Sequence, residues 1–201
     1  MTDEELVKGC ILKIPTAQKQ LFERFSRKML GVCLRYAGRS EEAEDMLQNG
    51  LIKVFEKIET FRGTGSLEGW IRKIVVNESL TWLRKNKAMK MNLDIDEVEY
   101  RVPGNSHVGE SMNEKDLLRI IQNLPLGFRT VFNMYAIEGY SHKEIAGLLG
   151  ISEGTSKSQY SRAKVHLQNM LKTAEIVAGG SPKDSSRSGS QKTIIGNQSS
   201  A

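Results

Sequence analysis

Between Tyr140 and Leu171, Ser158, Ser161, Arg162 and Val165 share one helical face, with Lys157 on its flank. Arginine and lysine donate to guanine or to phosphate, and serine donates to or accepts from any base edge, so this face could read a duplex. Around it Lys157, Arg162, Lys164 and Lys172 stand against only Glu153, an excess that attracts a phosphate backbone. A second basic stretch lies earlier. From Arg62 to Lys90 there are seven basic residues against two acidic ones, with Trp70 and Trp82 interleaved, a mixture suited to phosphate contact and base stacking on a single strand. Both stretches also have a plainer reading: a helical hairpin that only packs, its cations solvated, and two core tryptophans. No His, Cys, Ser and carboxylate constellation falls at catalytic spacing, so an enzyme is not expected. Cys10 and Cys33 show no ligand spacing with His107, His142 or His166, so neither a metal nor any other cofactor is expected.

The elements that would position the later face are two short helices. Ser141 with Glu144 three residues on has the capping-box spacing, and Ile145, Ala146, Leu148 and Leu149 give a short apolar face. Gly150 stops that helix and Ile151 plugs the turn. Ser152 then caps a second helix whose buried stripe is Tyr160, Ala163, Leu167, Met170 and Leu171. This is a helix-turn-helix, and the exposed face near the second helix's N-terminus is the part that enters a major groove.

At 201 residues with 39% apolar content the chain can form one core or two small ones. A formal charge of +5 permits a nucleic-acid partner. The start, MTDEEL, lacks a signal-peptide pattern and no apolar run approaches a membrane span, so a cytoplasmic protein with reduced thiols is expected. In chain order, Leu6, Cys10 and Ile11 mark a lead-in helix closed by Pro15, and Ala17 to Ala37 a long one with Leu21, Phe22, Phe25, Met29, Val32, Cys33 and Tyr36 inward. Ser40 should cap the next helix, where Gly50 costs roughly 1 kcal/mol against alanine unless a close neighbour requires it. FRGTGS, residues 61–66, must be a loop, and Ser66 caps the helix that follows. Pro103, two glycines and the acidic run Asp94, Asp96, Glu97 and Glu99 mark a linker. Leu117 to Leu124 and Phe128 to Tyr135 form supporting helices separated by Pro125, and the Gly/Ser-rich end cannot order itself. The expected class is all-α, with no strand of consequence.

Taken together in this order, AEDMLQNGLIKVF, FRGTGSLEGWIRKIVVN and LPLGFRTVFNMYAIEGYSHKEIAGLLGISEGTSKSQYSRAK resemble the extracytoplasmic-function (ECF) sigma factors of the sigma-70 family over about residues 5 to 172. The resemblance implies a sigma2-like domain over 1–88, a flexible linker over 89–112, a sigma4-like domain over 113–173 and a disordered tail over 174–201. It implies core RNA polymerase and promoter DNA as partners, an anti-sigma factor as a further partner class, and promoter-specific initiation as the function. On the family's pattern Asp45 and Gln48 grip the polymerase clamp. Phe61, Arg62, Gly63, Thr64, Gly65, Ser66 and Asn77 hold an extruded base of the -10 element, and Lys157, Ser158 and Arg162 contact the -35 element. The chemistry agrees: the Asn77 amide can donate and accept toward a base edge, and Gly63 and Gly65 allow close approach. Two departures stand out. Asn49 and Gly50 follow Gln48 where an acidic residue is common, and Ser156 lies on the buried stripe where an apolar residue is usual. A helix-turn-helix regulator that never engages polymerase would explain residues 117 to 172 equally well. It would not explain why an acidic helix start is paired with a basic, tryptophan-bearing helix across a glycine loop.

Overall fold

The computed structural model describes residues 1–86 and 114–179, and every element there is helical: α1 (Asp3–Ile11), α2 (Pro15–Tyr36), α3 (Ser40–Lys57), α4 (Leu67–Lys85), α5 (Glu114–Gln122), α6 (Leu126–Phe132), α7 (His142–Leu149) and α8 (Glu153–Gly179). A short 3-10 turn, Ile58–Thr60, ends α3, and a π-turn, Asn133–Ile137, extends α6. The acidic run Asp94 to Glu99 and the Gly/Ser-rich end from 180 lie outside the described residues, whereas 174–179 continue α8.

The first domain is built on α2, α3 and α4. Leu21, Phe25, Met29 and Val32 recur at helical spacing on α2 and meet Met46 and Val54 of α3 and Ile71 and Val75 of α4, all almost fully buried. Gly50 has its reason here: a Cβ at that position would lie 3.0 Å from Val75 Cγ2 and 3.3 Å from Val75 Cα, so the glycine lets α3 and α4 approach. Three local expectations are corrected. Pro15 opens α2 at its first turn, where the missing N–H costs nothing, and α1 instead ends before Lys13, whose φ is 56°. Ser40 makes no cap; it is the first residue of α3, and the Gly38 N–H near this end is taken by Glu42 Oε2 at 2.8 Å. Phe22, expected inward, is 50% exposed at the edge of the α2 stripe.

In the second domain α6 packs on α8 through Leu124, Phe128 and Ala163, while Leu117 points outward. Pro125 stands at the N-cap of α6, so it opens that helix as well as closing the segment before it. Val131, Met134, Ile145 and Leu149 join the same continuous apolar core as the first domain, so the two domains are packed face to face.

Candidate nucleic-acid interface

The helix-turn-helix forms through the signals read from its sequence. Glu144 N–H donates to Ser141 Oγ at 3.2 Å and Ser141 N–H to Glu144 Oε2 at 2.8 Å, completing a capping box. These bonds hold the Glu144 carboxyl below the ordinary carboxylate range. Gly150 turns the chain with φ 69°, in the left-handed region that favours glycine, and its N–H returns to Ala146 O. Thr155 N–H donates to Ser152 Oγ at 2.9 Å and so begins α8.

Ser156, the anomalous polar residue on the buried stripe, is fully buried and its hydroxyl pairs with His142 Nδ1 at 2.9 Å. The Tyr135 ring stacks on His142 with centroids 4.2 Å apart, and Tyr160 lies 4.6 Å from Tyr135. A hydrogen-bonded pair under an aromatic cover thus replaces the usual apolar contact between α7 and α8. Lys157, Ser158, Ser161, Arg162 and Val165 are all exposed on the opposite side. Lys157 Nζ is paired with Glu153 at 2.7 Å, and that carboxylate is held below its ordinary range chiefly by this hydrogen bond. An exposed pair of this kind is worth little and yields readily to a phosphate.

The first domain carries the other face. Gly63 and Gly65 have φ of 73° and 89° with open space where a Cβ would lie, so the 61–66 loop presents bare backbone. Arg62 and Thr64 are exposed, while the Phe61 ring packs on Trp70 with centroids 5.5 Å apart and Ser66 Oγ accepts from Gly69 N–H at 3.0 Å. Trp70 and Trp82 are half-buried against the core, in line with the plainer reading of both. Asn77 lies on α4 about 15 Å along the axis from Leu67 at the loop. Its side-chain Oδ1 is buried and, among the described residues, has no hydrogen-bond partner.

On α3, Asp45 and Gln48 are exposed, and they form a stripe with Asn49 and with Ile52, which is 47% exposed. Ile52 was missed in the sequence although its place is signalled: it falls at i+7 from Asp45, on the polar face of an amphipathic helix.

Residues 21–89 match the Sigma-70 region 2 family, and residues 114–167 match Sigma-70, region 4. The chain is a member of the sigma-70 family, an ECF RNA polymerase sigma factor. Its curated relatives include the ECF RNA polymerase sigma-E factor of Haemophilus influenzae, 28% identical over 85% of this chain and 96% of that one. The ECF sigma factor SigE of Mycolicibacterium smegmatis is 28% identical over 76% of this chain and 60% of its own length. For SigM of Mycobacterium tuberculosis the figures are 28%, 85% and 85%. In this sigma factor the region 2 match takes in most of α2 and all of α3 and α4, and the region 4 match ends within α8, beyond Arg162. Region 2 therefore contains both the α3 stripe and the α4 face, and region 4 contains the helix-turn-helix.

Proposed function

We propose that this sigma factor divides promoter recognition between its two domains as follows. Residues 1–88 bind the polymerase clamp through Asp45 and Gln48, and the loop from Phe61 to Ser66 with Asn77 holds an unstacked base of the -10 element. Residues 113–173 place α8 in the major groove of the -35 element, with Lys157, Ser158 and Arg162 toward the bases. Residues 89–112 join the two. The observation that carries this reading is the coexistence in one chain of two polar faces of different kinds. One is a rigid helix suited to a duplex groove; the other is a glycine loop leading to a helix whose Asn77 acceptor is unsatisfied. The chain itself makes no bond. Catalysis belongs to the polymerase, and the protein works in the cytoplasm, where polymerase and chromosome are. Among the described residues no helix is long and apolar enough to cross a membrane.

The clamp assignment is tested by native mass spectrometry of the chain with purified core polymerase. The expected result is a one-to-one complex that Asp45→Ala with Gln48→Ala weakens without lowering thermal stability, since both side chains are exposed. A wild-type chain that binds duplex DNA tightly and specifically alone, and leaves core polymerase unbound, would instead describe a plain helix-turn-helix regulator.

A further inference from the structure

Val165 stands on α8 where the helix-turn-helix needs no apolar side chain. It falls two residues after Ala163 and two before Leu167, both of which pack into the core. At about 100° of turn per residue, a position two away from each of them points almost directly away from that core. Val165 is 52% exposed, and among the described residues no large apolar side chain of the second domain is more so.

Its neighbours along the chain are drawn elsewhere. Lys164 Nζ lies 5.1 Å from the centre of the Tyr160 ring, and the His166 ring meets that of Phe128 with centroids 5.2 Å apart. Ser158, Ser161 and Arg162 share the face instead, so two methyl groups stand among polar side chains. A single exposed apolar residue is ordinary on a protein surface. This one lies in the middle of a polar recognition face, and valine is a poorer helix former than the lysine, glutamine or arginine that would suit such a place.

The major groove offers a partner for it. There the C5-methyl of thymine marks a T·A pair, and an apolar side chain is its complement. Valine in a helix has essentially one χ1 rotamer, so its methyls lose little freedom on contact. Three residues separate it from Arg162, a rise of about 4.5 Å along α8 against about 3.4 Å between successive base pairs. A helix that lays Arg162 on one pair therefore brings Val165 to the next.

We propose that Val165 is a further specificity-determining residue, its methyls packing on the C5-methyl of a thymine in the -35 base pair that adjoins the one Arg162 reads. This rests on the placement of α8 in the -35 groove proposed above.

The test uses the holoenzyme of core polymerase with the full chain, and a fluorescent duplex carrying a promoter from which it initiates. Each thymine of the -35 element, on either strand, is replaced in turn by deoxyuridine, which removes the C5-methyl and keeps every hydrogen-bonding group. Base substitutions compared between wild type and Arg162→Ala locate the pair that Arg162 reads. In wild type, uracil in place of one thymine in the adjoining pair should weaken binding about fourfold, the equivalent of one buried methyl group. In Val165→Ala the same replacement should have no effect, and on the thymine duplex this variant should bind about as weakly as wild type does on the uracil one. Circular dichroism checks that the variant is folded, as the exposure of Val165 leads one to expect. A uracil effect that persists undiminished in Val165→Ala would overturn the proposal, and so would promoters without a thymine in that pair. An equal loss on every duplex in Val165→Ala would overturn it too, as the mark of a contact with polymerase or backbone. A discriminating Arg162 beside a silent Val165 refutes this assignment alone, whereas silence of both refutes the placement of α8 as well.

Discussion

Replacing Gly50 with alanine should destabilise the first domain, against the usual effect of that change in a helix. Alanine gains about 1 kcal/mol over glycine in helix propensity. The new methyl, however, would lie 3.0 Å from Val75 Cγ2 and 3.3 Å from Val75 Cα. Backbone cannot swing aside, and a helical valine has essentially one χ1 rotamer, so α3 and α4 must move apart. Overpacking of this kind costs about 1–3 kcal/mol, which leaves a net loss of about 1 kcal/mol. The control is Gly31 on α2, where a Cβ would meet nothing within 4 Å and alanine should add about 0.5–1 kcal/mol. Urea denaturation of the two variants should therefore place them on opposite sides of wild type, about 2 kcal/mol apart. The double variant Gly50→Ala, Val75→Ala should recover about 1 kcal/mol relative to the sum of the single changes, because removing Val75 Cγ2 makes the space. If Gly50→Ala stabilises as much as Gly31→Ala, the close approach of α3 and α4 described here is wrong.

Asn77→Ala should leave stability within about 0.5 kcal/mol of wild type, since its buried Oδ1 has no partner to lose among the described residues, yet slow promoter opening as followed by permanganate footprinting. Arg162→Ala should weaken -35 binding in the polymerase complex by about 1–3 kcal/mol and relax discrimination at one position; an equal loss on every sequence would mean that it touches phosphate only. Ser141→Ala should cost about 1 kcal/mol by removing the cap of α7, read from the thermal midpoint. Because the Glu144 carboxyl is depressed by the Ser141 bonds, its share of that cap is complete at neutral pH and is lost as pH falls through its folded pKa, below the ordinary carboxylate range. Glu144→Gln should remove this part of the acid sensitivity of the midpoint.

What was legible in the sequence follows how locally each feature is specified. The turn between α7 and α8 was readable because its cap, its glycine and its apolar spacing all lie within a dozen residues. Exposure of Lys157, Ser158 and Arg162 followed from helical period, whereas Asp45 and Gln48, also exposed, were singled out by the family resemblance. Errors arose where two local signals competed: Pro15 can follow one helix or begin the next, and Ser40 lost its capping role in a segment where Glu42 already takes the Gly38 amide. Phe22 and Leu117 sit at stripe edges, where period does not decide burial. The seam between the two domains was not legible at all. Gln122, Arg129 and Asn133 look like ordinary polar helix residues, and their partners are carbonyls about ninety residues away. The same holds for the Ser156–His142 pair, whose members belong to different helices.

The central claim is that this chain selects promoters for core RNA polymerase. It is tested most directly by transcription in vitro from a fragmented bacterial genome, with purified core and the chain added in turn and every transcript start sequenced. The account predicts starts that require both components and share two upstream sequence elements, the nearer one lost from the pattern in Asn77→Ala and the farther one relaxed at a single position in Arg162→Ala. Starts that are the same with and without the chain would contradict it.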